Sequence, residues 1–164
     1  MTSEVRRLAP DDWRVYRAIR LEALASDPTA FGSSWAREAE FTEATWRERL
    51  RSVVFAAELA DETVGIIGGV RPQDRSTAML IVGMWVRPET RGQGVAGALL
   101  GALRDHARQD GAEQLRLWVT ETNSSARRLY ERWGFEATGG REPLLSHPTI
   151  PVIEMVRDLA TPYP

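Results

Sequence analysis

The sequence predicts a single domain of mixed α/β class, and three observations carry that reading. Apolar runs of strand length at 53–59, 63–70 and 78–86 follow one another across short polar turns, the order of an antiparallel meander. The third run leads through a glycine-rich turn into a helical stripe, and a further strand pattern follows at 115–119. The chain has 164 residues, 43% hydrophobic and 27% charged. A domain of that size buries about 70% of the surface its unfolded chain exposes.

Taken in order, Ser3 to Leu8 suits a short first strand. Pro10-Asp11-Asp12 supplies N-cap and first-turn residues for a helix carrying Trp13, Tyr16, Ile19, Leu21 and Leu24, which Asp27-Pro28 ends. Thr29 to Ala39 has no clear periodicity and reads as a loop, whose Phe31 and Trp35 either roof a substrate pocket or plug the loop into the core. Thr42 caps a short helix to Leu50, with Trp46 and Leu50 on one face. The meander then runs to Val86, where Arg87-Pro88 stops it because proline donates no ladder hydrogen bond.

From Val95, Leu99, Leu103 and Ala107 recur at every fourth position, so the preceding Arg91-Gly92-Gln93-Gly94 opens a helix. A helix start leaves backbone N–H groups unpaired and carries partial positive charge; glycines let an anion approach them closely. Arg91 to Gly97 therefore form a candidate phosphate cradle. Gly111 ends the helix, and Leu115 to Val119 alternates as a strand. Asn123 then caps a helix bearing Ala126, Leu129, Tyr130 and Trp133, which stops at Gly134-Phe135, and Asn123, Ala126 and Tyr130 share a face. Glu136 to Arg141 reads as a strand, Glu142 to Pro148 as a loop and Ile150 to Leu159 as a last strand, with Pro151 near its beginning at an edge or entry position. The domain is expected to span 1–159 and the tail 160–164 to fray.

At these residues the chain resembles the GNAT superfamily of acyl-CoA-dependent N-acetyltransferases. Arg91, Gly94 and Ala96 stand in the fixed positions of that family's pyrophosphate-binding Arg/Gln-x-x-Gly-x-Gly/Ala turn. Asn123, Tyr130, Gly134 and Phe135 match its second signature. The resemblance covers about a third of the chain in detail. It implies a central, mixed, mostly antiparallel sheet of about seven strands with helices on both faces, and a parallel pair around Val86 and Val119 splayed to admit pantetheine. It implies acetyl-CoA as acyl donor and a small-molecule or peptide amine as acceptor, with backbone of Met84, Trp85 and Val86 polarising the acetyl carbonyl. Arg91, Gly92, Gln93, Gly94, Val95, Ala96 and Gly97 would hold the pyrophosphate, and Asn123, Ala126 and Tyr130 the pantetheine arm. Tyr130 would protonate the departing thiolate, and Trp85 and Trp118, near the splayed strands that the family uses, would touch the acyl group or the substrate, beside any pocket roofed by Phe31 and Trp35. Some family members carry a glutamate base five residues before the asparagine; Trp118 occupies that position here. Glu121, ahead of Glu154, is then the nearest carboxylate for a water-relayed base. A homodimer is compatible with this reading.

Other readings share these residues. Gly92 to Gly97 is literally G-x-G-x-x-G, and Glu121 follows the next strand as the ribose-binding acid of a dinucleotide fold would. However, Arg87 to Arg91 separate strand from turn, and too little chain remains for further parallel strands. A CoA-binding sensor or adaptor without turnover is the other alternative, and Asn123 as a cap or Tyr130 as a core residue are the plain structural ones. The net charge of −2 lacks the basic excess that nucleic-acid backbone binding requires. No apolar run approaches a membrane span, no cysteine is present, and two histidines without ligand spacing do not suggest a metal. A cytoplasmic protein is expected. All 21 basic residues are arginine.

Overall fold

The computed structural model describes residues 2–160. Seven strands alternate with five helices in that span: β1 (Glu4–Arg7), α1 (Trp13–Ser26), α2 (Trp35–Ala39), α3 (Glu43–Arg49), β2 (Val53–Leu59), β3 (Glu62–Val70), β4 (Ala78–Val86), α4 (Val95–Gln109), β5 (Gln114–Thr120), α5 (Ser124–Arg132), β6 (Glu136–Leu144) and β7 (His147–Asp158). The strands form one sheet in the order β1-β2-β3-β4-β5-β7-β6. Every pairing is antiparallel except β4 with β5. A sheet with one parallel pairing is not the doubly wound fold of a dinucleotide site, so that alternative falls.

Successive residues of the central strands enter opposite cores, as the period of two in a strand requires. Val53, Ala57, Ile67 and Val86 face α4 with Leu99, Leu100 and Leu103. Val54, Ala56, Ile66 and Trp85 face α1 and α3 with Ile19, Leu24 and Trp46. Burial on both faces explains why β3 and β4 read as near-continuous apolar runs.

Two irregularities shape the centre of the sheet. In the β3–β4 ladder Ile66 faces Trp85 but Gly68 faces Val82, so Gly83 and Met84 stand opposite Ile67 alone. This bulge bends β4 and needs a left-handed residue, which Gly83 supplies at φ +61°. The β4–β5 pairing runs only from Ala78/Gln114 to Leu80/Arg116. Beyond it the two strands part, as the expected splay requires.

Three local expectations change. Thr29 to Ala39 is no plain loop: it holds a single turn at Pro28–Ala30 and the helix α2, capped by Ser34 Oγ accepting from the Arg37 N–H at 3.2 Å. A five-residue helix is shorter than two turns, too short to display a periodicity. Asp12 does not cap α1 but reaches back to the Ala9 N–H at 2.8 Å. Glu142 to Pro148 is mostly strand, because β6 extends to Leu144 and β7 begins at His147.

The prolines that suggested a loop fit the ladder. Pro143 faces Pro151, and the Pro151 carbonyl accepts from the Glu121 N–H on the opposite side at 3.0 Å. The proline pair is thus a non-hydrogen-bonded one, and Pro143 turns its donorless nitrogen to the free edge. Pro151 lies on an interior strand rather than an edge. Its missing N–H leaves the Glu121 carbonyl to accept from Arg127 Nη1 at 3.1 Å. The expected fraying tail lies outside the described residues apart from Ala160, whose N–H donates to Asp158 Oδ1 at 2.8 Å.

Candidate active site

Where β4 and β5 part, a cavity of about 100 Å³ opens, lined among others by Phe31, Gly83, Met84, Trp118, Asn123 and Tyr130. The bulge sets its β4 wall. The start of α5 sets the opposite wall, because the Asn123 side chain caps that helix, its Oδ1 accepting from the Ala126 N–H at 3.2 Å. This engages the oxygen of the amide and leaves Nδ2 without a protein partner among the described residues.

Tyr130, two helical turns along, is buried, and its ring meets Phe135 edge-on at 5.7 Å between centroids. Burial pushes its phenol up to about 12, so it holds its proton throughout the physiological range. The pattern that put Asn123, Ala126 and Tyr130 on one face is realised, since all three line the cavity.

The glycine-rich turn lies one loop beyond the bulge. Gly92 and Gly94 take left-handed backbone at φ +79° and +83°, and a Cβ on either would meet no atom within 4 Å. Gly94 ends the turn without a side-chain cap. The first intrahelical bond runs from the Ala98 N–H to the Gly94 carbonyl at 3.0 Å, which leaves the N–H groups of Val95, Ala96 and Gly97 to an external acceptor. The side chains here do other work. Val95 is buried in the core, a Cβ on Gly97 would stand 3.5 Å from Trp133, and Gln93 Nε2 donates to the Glu89 carbonyl at 3.4 Å. Arg91 braces the turn, Nε donating to the Val86 carbonyl at 2.9 Å and Nη2 to Asp27 Oδ2 at 3.2 Å.

Four of the expected side chains are not brought to the cavity. The Trp85 side chain belongs to the α1 core and donates from Nε1 to Asp27 Oδ2 at 2.6 Å, so only its backbone adjoins the bulge. Trp35 is 51% exposed on α2 and lines neither internal cavity. Glu121 sits past the end of β5 with its carboxylate on Arg141 Nε at 2.8 Å. Glu154, directly across the ladder from Trp118, is held by Thr138 at 2.7 Å and Arg116 at 3.6 Å.

The residues that sequence reasoning missed lie on the other side of Gly83. Arg20 and Glu38 are buried, and Arg20 donates to both carboxylate oxygens of Glu38 at 2.9 Å. Arg49 adds a third bond at 2.7 Å. Burial alone would raise the Glu38 pKa; the bonds and charge of Arg20, then Arg49 and Ser33, outweigh it and hold the carboxyl at about 2. An arginine within the buried stripe Tyr16, Ile19, Arg20, Ala23 was the available signal. Among the described residues no group of acidic and histidine side chains is placed to hold a metal, and no helix is long and apolar enough to cross a membrane.

A seven-stranded sheet with one splayed parallel pair, a donor-rich helix start beside it and a tyrosine in the gap is the arrangement that the resemblance to acyl-CoA-dependent acetyltransferases led us to expect. The comparisons agree. The profile of the Acetyltransferase (GNAT) family matches residues 16–135, and the chain belongs to that family. Mycothiol acetyltransferase of Brachybacterium faecium is 32% identical over 138 residues, 78% of this chain and 39% of the relative. The chain spans less than two thirds of the curated relatives it matches, 39% and 64% in two of them. The crystal structure of a GNAT-family acetyltransferase from Streptococcus pneumoniae superimposes with a TM-score of 0.79 at 20% identity, covering 96% of this chain and 99% of that one. YncA from Salmonella typhimurium, a putative acetyltransferase solved with acetyl-CoA, gives 0.76 at 18% identity and covers 97% and 95%.

Proposed function

We propose that this chain transfers the acetyl group of acetyl-CoA directly to a primary amine, and the observation that carries the reading is the parting of β4 and β5 after Leu80 and Arg116. A thioester arm laid in that gap reaches the Gly83–Met84 bulge with its carbonyl and Tyr130 with its sulfur. The pyrophosphate belongs at the start of α4, on the three unpartnered N–H groups, with Arg91 positioning the turn. Asn123 Nδ2 is the donor on offer to the pantetheine amides.

The amine lone pair forms the C–N bond at the carbonyl carbon, backbone N–H near the bulge steadies the oxyanion, and the C–S bond breaks. Tyr130 hands its proton to the departing sulfur. Its phenol is well above the ~8.5 of a free thiol, but burial disfavours the thiolate as it does the phenolate, so the acid remains matched to its task. With no cysteine in the chain, a thiol acyl-enzyme has no nucleophile. The absence of disulfide-forming residues is compatible with a cytoplasmic location.

The base is the part the cavity does not supply, since none of its lining side chains is a carboxylate. An alkylammonium of pKa ~10.4 is neutral in about one molecule in 2,500 at pH 7, a cost of ~4.6 kcal/mol. Water carries the proton out, with Glu121 or Glu154 at the exit.

The test is release of free thiol from acetyl-CoA against a panel of amines, together with calorimetry of CoA and of NAD. The reading expects CoA binding and amine-dependent thiol release. CoA binding without turnover of any amine makes the chain an adaptor, and tight NAD binding overturns the cradle altogether.

A further inference from the structure

A second cavity, of about 70 Å³, lies on the α1 side of the bulge and is lined by Tyr16, Arg20, Arg49, Val82 and Gly83 among others. It shares Gly83, and no other lining residue, with the cavity between the splayed strands. If the thioester lies between the strands, an acceptor nitrogen comes to the bulge from this side. The side chains that await it are unusual. Two guanidinium groups share one carboxylate, so Arg20, Arg49 and Glu38 together keep one positive charge.

That charge is aimed. The Arg20 side chain is 8% exposed, with Nε and Nη2 spent on Glu38. Nη1 lies 3.2 Å from where a Cβ on Gly83 would stand and has no partner among the described residues. The guanidinium is further confined by the Phe31 ring at 4.9 Å, and Phe31 is itself a wall of the thioester cavity. Arg49 stands at the mouth with its side chain 31% exposed, stacked near Tyr16, Phe41 and Trp46 at 5.5 to 5.7 Å. Among the described residues only its Nη1 is engaged, on Glu38. A planar guanidinium with donors left over matches a carboxylate.

We infer that this cavity selects the acceptor, and that the acceptor is a primary amine carrying a carboxylate within a few bonds of its nitrogen, an amino acid or a close analogue. The inference rests on the acetyl-transfer reading, because it uses the bulge as the meeting point of donor and acceptor. The short reach from Arg20 Nη1 to Gly83 sets the spacing between carboxylate and amine. The small volume accepts the carboxylate, while the amine and its substituents lie toward the bulge.

The experiment takes L-amino acids in matched sets of three: the free acid, its carboxamide and the amine lacking the carboxyl. Thiol release from acetyl-CoA is measured for the wild type, Arg49→Gln and Arg49→Lys. Arg49 is chosen because it is partly exposed, whereas Arg20 is part of the packed interior. The free acid should exceed its carboxamide at least ~10-fold in kcat/KM, as loss of a charge-assisted pair predicts. Arg49→Gln should erase most of that preference through KM, and Arg49→Lys should restore part of it. Equal turnover of acids, amides and decarboxylated amines overturns the inference and leaves acetyl transfer standing. So does an Arg49→Gln defect equal for acid and amide. Turnover of no amine overturns both.

Discussion

The buried carboxylate of Glu38 offers a quantitative test that does not depend on any substrate. It is fully inaccessible, accepts three hydrogen bonds from two arginines, and is held at about 2 from an ordinary value of 4.5. A folded-state pKa below the unfolded one contributes stability that is present above the unfolded value and lost as pH falls through the folded one. A displacement of roughly 2.5 units corresponds to about 3 kcal/mol at neutral pH. Glu38→Gln keeps the shape and removes the charge, so it should cost about 3 kcal/mol, or a fall in Tm of roughly 6 to 12 °C for a domain of this size. Urea unfolding of both proteins from pH 8 to pH 2.5, followed by tryptophan fluorescence, reads the difference directly. The gap between wild type and variant should stay constant above about pH 5 and close steadily between 4.5 and 2 as Glu38 takes up its proton. A gap below about 1 kcal/mol at pH 7, or one that persists undiminished at pH 2.5, would refute the ion-pair account.

Gly94→Glu places a charged side chain where a Cβ meets open space but at φ +83°, so it should cost on the order of 1 to 2 kcal/mol in stability while abolishing CoA binding; unchanged CoA affinity by calorimetry refutes the cradle. Tyr130→Phe removes the proton donor from a ring that otherwise packs unchanged on Phe135, so kcat should fall roughly 10²- to 10⁴-fold with KM little altered. A variant retaining more than about half of wild-type kcat, with chemistry rate-limiting, removes Tyr130 from the mechanism. With water as the first proton acceptor, kcat/KM for alkylamines should climb from pH 6 to 9 and flatten for weakly basic aromatic amines. A flat alkylamine profile counts against it. Because Glu121 is paired with Arg141 outside the cavity, at the exit of the water path rather than its start, Glu121→Gln should change kcat/KM less than about threefold, and a loss of tenfold or more would make it the base itself.

What the sequence determined by itself is what local chemistry dictates. Glycine is the residue that tolerates φ +79° and +83° at Gly92 and Gly94, an asparagine before a helical stripe caps it, and an apolar run of nine residues ended by Arg87-Pro88 is a strand, so the glycine turn that opens α4, α5 and β4 were legible as patterns. Their spacing also placed Asn123, Ala126 and Tyr130 on one face, because a helix repeats every 3.6 residues whatever surrounds it. Tertiary structure decided the rest. That Pro143 and Pro151 sit inside a ladder depends on which strand each faces, a long-range pairing no local rule encodes. The Trp85 indole and the Glu121 carboxylate found partners in Asp27 and Arg141, which do not line the cavity that their neighbours line. Arg20, Glu38 and Arg49 come from three separate helices and acquire their shared charge only when those helices pack together. Electrostatic sites of this kind are made by distance in space, and their members carry no mark of it in sequence beyond a charge on an apolar stripe.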